Sequence, residues 1–204
     1  MAGSTLFALG SLPAYAARID PAAIGVTFFV GSIFFTSAGY STFFQVIDDA
    51  RAPGSKRRFF AMRTSDLNWW SAAVQLAGTL WFNISTGFAM VDNFDTTEVN
   101  RLVWRPDMLG SVAFLVASHL AWLAVCGKRW VVRGDDAEWW STALNYLGSI
   151  LFMASAIAAL TLPTTGEVVN VTIVNAATFG GAVCFFLGAY LLRPAAPDSS
   201  NGAP

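Results

Sequence analysis

Little in this chain can do covalent or acid–base chemistry. His119 is its one histidine, and Cys126 and Cys184 are its two cysteines, each set in an apolar run. Separated in this way, they form no disulfide framework, no zinc set and no pair of axial haem ligands. Lys56 and Lys128 fall between the apolar runs, so neither is placed for a Schiff base inside a membrane. No Gly-rich nucleotide loop and no Gly-x-Ser-x-Gly elbow occur, and no paired carboxylates stand in a shared helix context. The expectation is a protein that is not an enzyme and that carries no metal and no cofactor.

What remains is a set of uncharged polar side chains within apolar sequence. Among them the amides Gln75, Asn83, Asn145 and Asn175 stand out, with Ser85-Thr86 close to Asn83. An amide in lipid must find a hydrogen-bonding partner, so it either ties helices together or lines a polar path. The first reading is preferred for all four. His119 is read in the same way, as a helix–helix hydrogen bond in preference to a ligand contact.

The elements that carry these residues follow from composition. Of 204 residues, 55% are hydrophobic and 12% charged, where a soluble domain carries about 25% charged. Mean hydropathy is +0.53. The net charge of −1 leaves no basic surplus for nucleic acid. The charges fall in short windows between uncharged runs at 21–47, 69–91, 108–126, 139–163 and about 172–192. A helix needs about 20 apolar residues to cross a ~30 Å hydrocarbon core. Five transmembrane helices are expected, in an all-α membrane bundle whose partner is the lipid bilayer. With no Asp, Glu, Lys or Arg inside any run, proton relays and ion-coupled transport are not expected. Asp20-Pro21 and Arg105-Pro106-Asp107 read as helix starts. Trp69-Trp70, Trp104, Trp122, Trp130 and Trp139-Trp140 read as interfacial anchors.

An internal repeat organises the runs. WWSAAVQLAGTLWFNIST (69–86) aligns with WWSTALNYLGSILFMASA (139–156), and MLGSVAFLVASHL (108–120) with FGGAVCFFLGAYL (179–191). Gln75 and Asn145 occupy equivalent places. Gly31, Gly78, Gly110, Gly148 and Gly181 are each followed four residues later by phenylalanine and seven later by a small residue. Positions 0, +4 and +7 share one helix face, and a small–large–small face packs helices in lipid. The run at 21–47 resembles the second helix of such a pair, so a first member is expected at Leu6–Ala17. There Gly10-Ser11 is taken as the repeated Gly-Ser, and the helix is too short to cross fully. Ala14-Tyr15-Ala16 has the look of a signal-peptide cleavage site, but no Lys or Arg precedes it and Pro13 interrupts the stretch. The chain then reads as one polytopic domain over 1–192, with hairpins at about 4–47, 69–126 and 139–192 and a disordered tail at 193–204.

Charge asymmetry orients the bundle. Arg51, Lys56, Arg57, Arg58, Arg63, Lys128, Arg129, Arg133 and Arg193 share one side, against Arg18, Arg101 and Arg105 on the other. The nine face the cytoplasm by the positive-inside rule, which puts the C-terminus inside.

The stretches WRPDMLGSVAFLVASHLAW (104–122), FFVGSIFFTSAGY (28–40) and LNYLGSILFMASAIAA (144–159) resemble the YrhK-like domain family of small bacterial membrane proteins. The resemblance implies a bacterial inner-membrane location and repeated Gly-Ser-x-x-Phe helices, and it carries over no activity, cofactor or site residue. The leading expectation is a structural or partner-binding membrane protein, with a protein partner or a second copy of the chain as candidates. The alternative is a small transporter or channel for a neutral or lipid-like solute.

Overall fold

The computed structural model describes residues 1–49, 51, 54, 56, 58–127 and 132–193. Arg57, Lys128, Arg129, Trp130 and the tail from 194 onward lie outside the described residues. The described chain is helical: α1 (Ala2–Gly10), α2 (Pro13–Ala16), α3 (Pro21–Asp49), α4 (Leu67–Phe88), α5 (Thr96–Glu98), α6 (Arg105–Cys126), α7 (Ala137–Ala158) and α8 (Val171–Leu191). A π-helical segment, Val99–Trp104, joins α5 to α6 without a break. One isolated antiparallel bridge, Thr161 to Val168, closes the loop between α7 and α8.

Among the described residues, four helices are long and apolar enough to cross a membrane: Pro21–Asp49, Thr96–Cys126, Ala137–Ala158 and Val171–Leu191. α4 is equally long at 22 residues but is not one of the four. Asn68, Gln75, Asn83 and three tryptophans dilute its apolar character.

The long helices and α1 form a closed ring. α1 packs on α3, α3 on α4, α4 on α6, α6 on α7, α7 on α8, and α8 returns to α1. Within each consecutive pair, glycines let the backbones approach. A Cβ built on Gly78 would lie 2.8 Å from the Phe114 ring, and one on Gly110 would lie 2.8 Å from Phe82. Gly148 and Gly181 face Phe185 and Phe152 in the same reciprocal way. In the first pair, Gly31 meets Phe7, and Gly3 meets Phe35 and the Gly31 carbonyl.

The first helix is not Leu6–Ala17: it spans Ala2–Gly10 and breaks before Pro13, whose ring and missing N–H end it. Its glycine opposite Gly31 is Gly3, not Gly10, because phenylalanine stands four residues after Gly3 whereas Ala14 follows Gly10. Nor does Pro106 start a helix. Proline removes a hydrogen bond to the residue four back and crowds its carbonyl, and the wider π turns just before it keep the helix continuous. Finally, Trp69, Trp122 and Trp139 are buried against other residues of the protein, so their rings do not serve as outward-facing anchors.

The rings fill the middle of the bundle in two layers. Phe35, Phe114 and Phe185 form a triangle with centroids 6.3, 5.6 and 5.9 Å apart. Phe7, Phe82 and Phe152 form the second layer, Phe152 lying 5.9 Å from each of the others. Each hairpin links the layers by one pair: Phe7–Phe35 at 5.2 Å, Phe82–Phe114 at 5.1 Å and Phe152–Phe185 at 5.1 Å. These are edge and tilted contacts that suit ring quadrupoles.

Candidate functional site

The two phenylalanine layers act as a septum, and a cavity lies against one side of it. α4 and α7 bring Gln75 and Asn145 into this cavity of about 250 Å³, together with Thr79 and Ser141; its floor is Phe35, Phe114 and Phe185. Neither amide makes a side-chain hydrogen bond to any described residue. Asn145 Oδ1 would come within 3.0 Å of a Cβ on Gly188, so the small residue makes room for the amide. The cavity widens into a mouth of about 500 Å³, which shares Gln75, Ser141 and Asn145 and reaches Asp49, Asp66 and Glu138. These carboxylates sit where α3 ends and where α4 and α7 begin, at the pole that carries the 50–66 loop. Among the described residues that line the mouth there is no Lys or Arg.

Local structure explains how the amides are held in place. Asp66 caps α4 by accepting from the Asn68 N–H, and Asp136 caps α7 by accepting from Glu138 and Trp139. Trp70 and Trp140 then donate their indole N–H groups back to the Thr64 and Gly134 carbonyls, at 2.9 Å in both cases. Both helices therefore enter with the same phase, and Gln75 and Asn145 follow nine residues after their caps, about two and a half turns on, on the same face.

The expected tying role falls to hydroxyls and not to these amides. Ser71 donates to the Ala117 carbonyl at 2.9 Å, Ser118 and Ser149 share a 2.7 Å hydrogen bond, and Ser32 and Thr86 share one of 3.0 Å. Ser32, Ser111 and Ser149 each follow a repeated glycine, a signal present in the sequence but not used there. Asn100 was also missed. Its amide clamps Thr161, donating to the carbonyl at 2.7 Å and accepting from the N–H at 3.1 Å.

The other candidates lie elsewhere. Asn83 Nδ2 donates to Thr36 Oγ1 at 2.8 Å, while its Oδ1 is buried without a partner. His119 is exposed, and its Nδ1 lies 3.2 Å from the Tyr146 hydroxyl across the α6–α7 contact. Asn175 sits half-buried in the second turn of α8. The vestibule thus unites Gln75 and Asn145 and excludes the remaining three. Among the described residues, no group of His, Cys, Asp and Glu is disposed to hold a metal. Searches of protein families, curated proteins and solved structures gave no match to this chain.

Proposed function

We propose that this chain is a multi-pass protein of the bacterial inner membrane that takes a small, neutral, hydrogen-bonding solute into the vestibule from the cytoplasmic side. The observation that carries this reading is the pair of unpartnered amides in one cavity. Amides left open at a septum cost free energy unless water or a solute meets them. The volume is at the low end for ligand pockets, which suits a small molecule. Five helices span, α4 among them because the other helices flank it on both sides, and α1 enters partway. They derive from three copies of one Gly-Ser-x-x-Phe hairpin, the feature that also supports kinship with the YrhK-like family. Nine cations against three place the 48–68 and 127–138 loops and the C-terminus in the cytoplasm. A structural or partner-binding role is the second reading, favoured by the closed phenylalanine septum.

Cysteine accessibility tests the choice. With Cys126 and Cys184 replaced by serine, Gln75→Cys and Asn145→Cys should each react with a membrane-impermeant thiol reagent in inside-out vesicles. In right-side-out vesicles neither should react. Protection in both orientations would remove the vestibule and leave the structural reading standing.

A further inference from the structure

Across the septum from the vestibule lies a second cavity of about 30 Å³, bounded by Phe7, Phe82 and Phe152 and lined by Asp107, Ser111, Ser155 and Thr178. Such a volume admits roughly one or two water-sized guests. Asp107 lies one residue before the run that begins at Met108, so the sequence reading left it outside; the structure places it within the helix Thr96–Cys126.

The hydroxyl protons around Asp107 are already committed. Ser155 Oγ donates to the Val174 carbonyl at 3.1 Å and lies 2.7 Å from Thr178 Oγ1. Each hydroxyl has one proton, so both bonds form together only when Thr178 donates to Ser155. Ser111 Oγ directs its proton at the Phe152 carbonyl, 3.5 Å away. Asp107 accepts from no described residue. The pocket therefore presents a carboxylate and hydroxyl lone pairs, all acceptors, against three aromatic rings. Its guest must bring a proton or positive charge, and it must be very small.

No neighbouring charge answers Asp107. α1, α4 and α8 contain no Asp, Glu, Lys or Arg, and α7 contains only Glu138, at its far end. On its own continuous helix stand Glu98, Arg101, Arg105 and His119; both arginines are exposed, and His119 faces Tyr146.

We propose that Asp107 is a reversible proton-binding site, taking a proton from water at the pole opposite the vestibule and holding it in the cavity that Ser111, Ser155 and Thr178 line. The bond formed is an O–H on the carboxyl. Release returns the proton to water, and no electrons move. This site stands independently of the solute reading, since it uses none of the vestibule residues.

Infrared difference spectra of the full chain in lipid nanodiscs, recorded across a pH titration, test it. The wild type should show the carbonyl band of a protonated carboxylic acid, lost as pH rises and missing in Asp107→Asn. Thr178→Val removes one of the hydroxyls that line the cavity with Asp107, so the midpoint should move. The proposal is overturned if Asp107→Asn leaves the wild-type spectrum unchanged. Replacing potassium by sodium at constant pH should leave the band in place; its loss would reassign the site to sodium. If Asp107→Asn does not fold, the Thr178→Val titration decides alone, and an unmoved midpoint overturns the assignment.

Discussion

At Gly181 a single methyl group has nowhere to go. Its Cβ would run into the Phe152 ring and lie 3.0 Å from the Gly148 carbonyl oxygen, and a backbone atom cannot swing aside. Gly78 is confined by Phe114 and by Ala113 at 3.0 Å. Gly181→Leu and Gly78→Leu should each destabilise the bundle, by about 1–3 kcal/mol for overpacking. Gly134, with open space around it, provides the control: Gly134→Ala should leave the thermal midpoint in detergent unchanged. Wild-type midpoints for both leucine variants would show that these glycines do not set the helix approach. The glycine face was legible in the sequence because spacing alone puts Gly and Phe on one stripe. The role of Gln75 and Asn145 was not. A polar residue in an apolar run reads the same whether a neighbour or a cavity meets it, and here the neighbours are hydroxyls bonded among themselves.

The helices owe their registration to their ends as much as to their faces. Asp66 and Asp136 stand three residues before Trp69 and Trp139, and each accepts from the first turn that follows. Asp136 satisfies two N–H groups that would otherwise lack partners. Asp136→Ala should therefore cost about 1 kcal/mol, seen as a lower midpoint in detergent with the helical circular dichroism retained. No change in midpoint would mean that the Trp140 indole contact holds this helix entry unaided. The apolar runs located the long helices well, since burial in lipid is written into composition. They misplaced the boundary at Pro106, because proline reads as a start whenever the turn ahead of it is taken to be regular. The π segment Val99–Trp104 relieves that conflict and carries the helix back to Thr96, which is why Asp107 belongs to its interior. In the first hairpin two Gly-Ser pairs seven residues apart compete for one face. Only the phenylalanine four residues on separates them.

The ring of helices surrounds a polar cavity on each side of one aromatic septum. Gln75 and Asn145 lie on one side, Asp107 and Thr178 on the other, and Phe114, 1% exposed, stands between them. This arrangement makes the septum the barrier. In the background lacking Cys126 and Cys184, Thr178→Cys should resist a thiol reagent supplied from the vestibule side. Adding Phe114→Ala opens a void beside Phe82, Phe35 and Phe185, and labelling of Thr178→Cys from that side should then become measurable. Truncating a buried phenylalanine costs about 3–5 kcal/mol, enough to threaten the fold, so Phe35→Ala provides the milder version. Phe35 is only half-buried, yet it touches both Phe114 and Phe185. Labelling of Thr178→Cys before any phenylalanine is removed would mean that the wild-type septum leaks. Continued protection in both truncations would place the barrier in the helix backbones, where the glycine contacts draw them together, and not in the rings.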